Sequence, residues 1–381
     1  MLPYGRHSIA EDDIRAVTEA LRSDWLTTGP LVERFERAFA DQVGALHAVA
    51  VSSGTAALHA CMFAVGVGEG DEVIVPAMTF AATANAVVYQ GGTPVFADVM
   101  PSTLLVDPSS VAAKISARTK ALAAVDYAGQ PCDYEALRGI ARDRGVPLVA
   151  DACHSLGAAY RGRPSGSLAD LTVFSFHPVK HITTGEGGML VTDDAGLAGR
   201  ARMFRNHGIS TDHRQREKAG TWVYEMQELG YNYRLSDIQC ALGLSQLRRL
   251  PEWVEKRRLL ARAYDAALEA VPGVVPLSSA ADVRHAYHLY VVRLAPPISR
   301  AGVYAAMRRA GFGVNVHYVP VHMHPFYRRA LRTGPGMCPV AEAAYEEILS
   351  LPMFPGMETG DVERVCAALA AAVETERSAA A

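Results

Sequence analysis

The first residue in this chain with clear chemical potential is a lysine set in an apolar, glycine-bounded stretch. Lys180 lies in VFSFHPVKHITTGEGG, after Ser175 and a turn containing Pro178, and before Gly185, Gly187 and Gly188. It is flanked by apolar strands rather than by other charges, an environment that lowers an amine's pKa and favours the neutral, nucleophilic form. On an ordinary surface the same residue would be a solvated charge. Asp151, in VADACHS, falls where a strand ends, and open α/β sheets bind ligands in the crevice outside the carboxyl ends of their strands. Its plainer alternative is a strand-end cap. A third stretch, SSGTAALHACMFAVG, opens a helix directly after the strand HAVAV. Gly54, Thr55 and Ala56 there offer backbone N–H groups to an anion such as phosphate at the positive helix end. The same Ser-Ser-Gly-Thr also serves as an ordinary helix cap. The glycines around 185–188 and in GVGEG at 66–70 read as tight turns, without a GxGxxG dinucleotide fingerprint.

These residues need elements to hold them. From about Ala45 to Asp193, short apolar runs alternate with helix-patterned stretches. HAVAVSS, DEVIVPA, TPVFADV, KALAAVD, VPLVADA, LTVFSFH and GGMLVTD read as strands. Runs such as EVIVP are apolar at nearly every position, as parallel strands covered by helices on both faces must be. The alternation implies an α/β lobe built on a largely parallel sheet. After Tyr233 the stretch LSDIQCALGLSQLRRLPEWVEKRRLLARAYDAALEAV predicts two successive helices, with Pro251 placed where the second begins. HAYHLYVVRL then predicts a strand, SRAGVYAAMRRAG a helix, GVNVHYVPVH a strand, and CPVAEAAYEEILSL and DVERVCAALAAAVE two helices. This is a smaller α+β lobe, and the alanine-rich end reads as a frayed terminus.

Composition narrows the partners. A chain of 381 residues exceeds one ordinary core, so two lobes are expected. A net charge of -3 supplies no basic excess for a nucleic acid backbone. Neither a signal peptide nor an apolar run of the ~18 residues that a membrane helix needs is present, so a cytoplasmic protein is expected. The six cysteines (Cys61, Cys132, Cys153, Cys240, Cys338, Cys366) lack CxxC spacing and read as buried free thiols. His317, His322 and His324 in HYVPVHMHP have a suggestive spacing but no carboxylate or cysteine beside them in sequence, so polar contacts at a strand end are expected and no metal site.

Taken in order, SSGTAAL, TFAATANAV, DACHSLGA, SFHPVKHITTGEGG, RNHGIS, LGYNYRLSDIQCALGLSQL and HYVPVH resemble the DegT/DnrJ/StrS sugar aminotransferases over nearly the whole chain. The resemblance implies a fold-type I pyridoxal-5'-phosphate (PLP) enzyme with a mostly parallel central sheet. It also implies a large PLP-binding domain with the N-terminal segment at residues 1–250 and a small α+β domain at 251–381. By position, Lys180 would hold the cofactor as a Schiff base, and Asp151 would pair with the pyridine nitrogen and keep the ring electron-accepting. Gly54, Thr55, Ala56 and Ser175 would bind the phosphate, Phe80 would stack on the ring, and His154 would contact the ring hydroxyl. His154 stands where many relatives carry glutamine. Asn232, in GYNYR, would reach the phosphate of the neighbouring subunit in a homodimer with shared active sites. Trp25, His317 and Tyr318 are candidates for sugar contact.

Dehydrating members of the family carry histidine at the Schiff-base position, so lysine in register at Lys180 favours transamination. The implied substrates are L-glutamate and a nucleotide sugar. YGRHSIAEDDIRAV, SDWLTTGP and VDYAGQPCD resemble the branch acting at C4 of a UDP-linked keto sugar. Two other readings stay open at this point: an aminotransferase for a different keto sugar, and a noncatalytic PLP-binding regulator on the same scaffold.

Overall fold

The structure, a computed structural model, describes residues 1–211 and 213–380. Its centre is a seven-stranded sheet in the order His47–Val51, Gly188–Thr192, Leu171–Ser175, Leu148–Asp151, Thr119–Val125, Glu72–Pro76, Thr93–Ala97. Each expected strand of the large lobe is present. Only Gly188–Thr192 runs against its neighbours; the other strands share one direction. The reversal has a local cause. A parallel return needs a crossover, usually a helix. Residues 176–187 are instead spent on the loop that carries Lys180.

Burial follows the apolar runs. Glu72–Pro76 and Gly188–Thr192 are buried at every position, as strands covered on both faces require. Each buried valine or isoleucine contributes about 1.5–3 kcal/mol relative to exposure. The helix Gly54–Ala64 is apolar nearly all round and almost wholly buried, so it is fixed on every side except its N-terminus.

A second core holds the smaller lobe. There Val274–Pro276, Tyr290–Leu294 and Ile348–Leu351 form an antiparallel sheet, packed by the helices Leu250–Leu268, Arg300–Arg309 and Thr359–Ala380. Pro251 sits in the first turn of its helix, where a missing N–H costs nothing.

Three expectations for this lobe are corrected. GVNVHYVPVH is not a strand: only Asn315 bridges to Ser350. His317 and Tyr318 bond other side chains, and Pro320, which lacks an N–H, leads into a short helical turn. CPVAEAAYEEILSL is helical only over Pro339–Glu347, and Ile348–Leu351 then pairs with Tyr290–Arg293. The cause is burial of all four residues, which suits a strand covered on both faces, here at the sheet edge beside Tyr290–Leu294, and not a one-sided helix. Ala379 and Ala380 continue the helix Thr359–Ala380 instead of fraying, in keeping with alanine's helix propensity, and Ala381 lies outside the described residues.

Candidate active site

The carboxyl ends of the parallel strands lie at one edge of the central sheet. Leu148–Asp151 lies beside Leu171–Ser175 with Asp151 opposite Val173, so Asp151 and Ser175 emerge at the same edge. The start of the helix Gly54–Ala64 abuts them. A Cβ built on Gly54 would stand 2.9 Å from the Ser175 Cβ and 3.2 Å from the Cys153 Sγ, so glycine is the residue that lets helix and strand approach. Ser53 caps the helix by accepting a 3.0 Å bond from the Ala56 amide. The Gly54 and Thr55 amides belong to the first turn, which lacks intrahelical acceptors. The cap uses the Ala56 amide and leaves the Gly54 and Thr55 amides without side-chain acceptors among the described residues, beside Ser175.

Asp151 is held by two donors. Thr83 Oγ1 donates to Oδ2 at 2.7 Å, and the Cys153 amide donates to Oδ1 at 3.2 Å. Thr79 Oγ1 lies 2.8 Å from Thr83 Oγ1 and, since Thr83 gives its proton to Asp151, acts as the donor. Only 7% of Asp151 is exposed. Thr83 was not singled out from the sequence, although TFAATANAV spaces Thr79 and Thr83 one helical turn apart. Thr83→Val should leave a buried carboxylate oxygen short of a donor, which costs roughly 1–3 kcal/mol. A lower melting temperature together with an approximately tenfold lower kcat is the expected outcome; unchanged kcat would show that Asp151 is held well enough without Thr83.

Lys180 is half-buried, and its backbone amide is tied to the His177 carbonyl at 2.9 Å. Burial pushes its ammonium pKa below the ordinary lysine value, partly offset by the Cys153 and Asp151 side chains. The lysine is thus moved toward the neutral amine, in agreement with its apolar surroundings in sequence. A depressed lysine pKa means that the unfolded chain binds more protons between the folded value and the ordinary one, so this contribution to stability rises with pH across that window. Lys180→Met should therefore melt higher than the wild-type apoprotein at pH 7, by about 1–3 °C. The difference should shrink as pH approaches the normal lysine range; a variant that melts lower at pH 7 would contradict the assignment.

His154 is 5% exposed, and its Nε2 lies 3.0 Å from the Tyr318 hydroxyl. Burial, with Lys180, His317 and His181 nearby, pushes its pKa well below the usual imidazole value, so the ring is neutral. Its Nδ1 is buried without a partner among the described residues. His317 bonds Ser350 Oγ at 2.8 Å and is pushed down to about 4, chiefly by burial. Tyr127 donates to the His317 carbonyl. Phe80, at the N-terminus of the helix Ala81–Tyr89, leaves 60% of its surface exposed with its ring 5.9 Å from Tyr318. An exposed aromatic face beside buried polar groups is available for stacking.

Two expected residues lie apart from this cluster. Asn232 is exposed on a segment that bridges to Asn206, while its neighbour Tyr233 accepts the Ser52 amide at 2.8 Å. Tyr231 and Tyr233 stack 5.0 Å apart against His59, and His59 Nδ1 meets the Tyr233 hydroxyl at 3.2 Å. Trp25 lines a separate cavity of about 900 Å³ together with Glu36, Arg205 and Asn206. Among the histidines first read as strand-end contacts, His322 does meet a carboxylate, Glu342 Oε1 at 2.9 Å. That proximity was invisible in the sequence. Among the described residues no three His, Cys, Asp or Glu side chains are grouped to hold a metal. No described helix is long and apolar enough to cross a membrane. All six cysteines are free thiols, and all but Cys153 are buried.

Known proteins resemble this chain in sequence and in fold. The chain is 41% identical to the spore coat polysaccharide biosynthesis protein SpsC of Bacillus subtilis, over 97% of this chain and 96% of SpsC. Spr1654 of Streptococcus pneumoniae, assigned as a sugar aminotransferase and solved in a PMP-form, superposes with a TM-score of 0.93 at 31% identity, covering 98% of this chain and 100% of that one. Helicobacter pylori PseC, an aminotransferase in the biosynthesis of pseudaminic acid, superposes with a TM-score of 0.91 at 30% identity, covering 98% and 99%. The DegT/DnrJ/EryC1/StrS aminotransferase model matches residues 7–370. With sequence order, fold and crevice in agreement, the chain belongs to the DegT/DnrJ/EryC1/StrS aminotransferase family.

Proposed function

We propose that this protein uses PLP to move the amino group of L-glutamate to C4 of UDP-4-keto-6-deoxy-N-acetyl-β-L-altrosamine, in the cytoplasm, as a step toward pseudaminic acid. The observation that carries the aminotransferase reading is a lysine shifted toward its neutral amine beside a buried, doubly bonded aspartate and an anion cradle. These features fit the cofactor. Gly54 leaves room where a Cβ would crowd Ser175, the first-turn amides suit a phosphate, and His154 Nδ1 is an unpaired buried nitrogen. A noncatalytic regulator would have no need to keep Lys180, Asp151 and Ser175 together.

When bound, PLP supplies the electron withdrawal that stabilises negative charge on the carbon next to the migrating nitrogen. This chain's residues do the rest. Gly54, Thr55, Ala56 and Ser175 hold the phosphate, and Phe80 covers one ring face. Asp151 keeps a proton on the ring nitrogen, and His154 orients the ring hydroxyl. Lys180 Nζ would hold the cofactor covalently at rest and, as a free amine, would serve as the base that moves the proton. Asn232, exposed in the protomer, reaches the phosphate held by a second copy of the chain in a homodimer. Trp25, His317 and Tyr318 border the sugar.

The specific sugar rests on the sequence phrases shared with the C4-aminating branch and on the likeness to PseC. The greater identity to SpsC favours a second reading, amination of a different keto nucleotide sugar. Incubation with L-glutamate and a panel of UDP-, dTDP- and GDP-linked 3- and 4-keto sugars, with products read by mass spectrometry and NMR, separates the two. The first reading expects the altrosamine derivative to have the highest kcat/KM; a preference for any other panel member by tenfold or more would replace it.

A further inference from the structure

The small lobe sends one segment into the crevice. The Ala286 amide donates to the Gly129 carbonyl at 2.9 Å, and the Leu289 amide donates to the Ala128 carbonyl at 3.1 Å. At Gly129, whose φ is +103°, a Cβ would stand 2.8 Å from both the His154 carbonyl and the His288 amide, so three backbones meet there without side-chain spacing. Arg257, fully buried, donates from Nη1 to the carbonyls of Tyr287, His288 and Met353 at 3.0–3.2 Å. His181, next to Lys180, meets the Ala286 carbonyl at 3.1 Å through Nε2.

His288 is the side chain this segment places against the site. It is 5% exposed, and its ring centroid lies 4.3 Å from that of His154 and 5.7 Å from that of His181. The His154 ring is thus confined by His288 on one side, while Tyr318 occupies its Nε2. The one His154 nitrogen left open is Nδ1. His288 Nδ1 is itself buried without a partner among the described residues, a cost that a phenyl ring of similar size would not incur.

We propose that His288 is a positioning residue that, from the small lobe, sets the orientation of the His154 imidazole and so the hydrogen bond His154 offers the bound cofactor. The proposal rests on the PLP reading above. His288 packs against the His154 ring and lies within electrostatic range of Lys180, and its effect on the cofactor's hydroxyl group runs through His154.

A double-mutant cycle tests it. Apoproteins of the wild type, His288→Ala, His288→Phe, His288→Asn, His154→Ala and the His154→Ala/His288→Ala pair are titrated with PLP by fluorescence, with melting temperatures recorded in parallel. Coupled neighbours depart from additivity, whereas independent sites do not. His288→Ala should weaken PLP binding about tenfold in the wild-type background and less than about twofold in the His154→Ala background. The pH midpoint of the bound cofactor's visible absorbance should also move in His288→Ala. His288→Phe, which keeps a ring against His154, should retain most of the affinity, and His288→Asn should be as impaired as His288→Ala. Equal loss with and without His154, or an affinity in His288→Phe as low as in His288→Ala, would overturn the proposal. If His288→Ala does not fold, the Phe and Asn pair decides alone. A wild-type protein that binds no PLP would overturn the functional reading itself, whereas wild-type binding with additive mutations overturns only the role of His288.

Discussion

Lys180→Ala should lower transamination by about 10⁴-fold, the upper end of what a positioned proton-transfer group contributes, while both cores stay intact. The side chain has two duties in this account, attachment of the cofactor and proton transfer, and the buried neutral imidazoles around it, His154, His181, His288 and His317, form no Schiff base and so cannot take over the first. Circular dichroism should match the wild type, and PLP should still bind through the phosphate cradle, without the reducible link to the chain. Borohydride treatment followed by peptide mapping should place a pyridoxyl group on Lys180 in the wild type and on no residue in the variant. A small primary amine added at high concentration should restore part of the activity, because the variant lacks a base and not a binding surface. Retention of more than a few per cent of wild-type turnover would sink the role of Lys180.

Asp151→Asn should lower kcat by about 10³-fold, comparable to removing one preorganised electrostatic partner from a water-poor site. The substitution preserves size, and Thr83 can still donate to the remaining carbonyl oxygen. What is lost is a carboxylate on a residue only 7% exposed, and with it the means of keeping a proton on the cofactor's ring nitrogen. The interaction matters most when charge develops in the transition state, so KM for the sugar should change by less than about threefold while kcat and kcat/KM fall together. Steady-state kinetics of purified, PLP-saturated protein checks this. A variant within tenfold of wild-type kcat would indicate that Asp151 is chiefly a strand-end cap.

Much of the large lobe was legible because local sequence and tertiary position agree there. EVIVP and GMLVT are apolar at most positions, and the structure buries them throughout. The lysine environment was legible for the same reason, since apolar strands flank the loop in both sequence and space. The direction of Gly188–Thr192 was not, because a loop and a crossover of similar length look alike until the path is known. ILSL was read as helix because it follows a helical pattern, and only pairing with Tyr290–Arg293 distinguishes a buried strand there. Site contacts made over long separations were the least accessible. Thr83 meets Asp151 across 68 positions, and Tyr318 meets His154 across 164. No periodicity encodes such a meeting, and TFAATANAV and HYVPVH supplied the residues without their partners. His288 lay inside an ordinary apolar strand pattern, and its place beside His154 depends on how the two lobes pack.

The central claim is that Lys180, Asp151 and the cradle at Gly54 form a working PLP aminotransferase site, and half-reaction spectroscopy tests it most directly. Purified protein saturated with PLP is scanned in the visible range, treated with L-glutamate, and then given the UDP-linked 4-keto sugar. The account predicts a visible band that glutamate bleaches with formation of 2-oxoglutarate and that the keto sugar restores with formation of the amino sugar. No band after addition of PLP, or a band that neither glutamate nor any other amino donor bleaches, would contradict it.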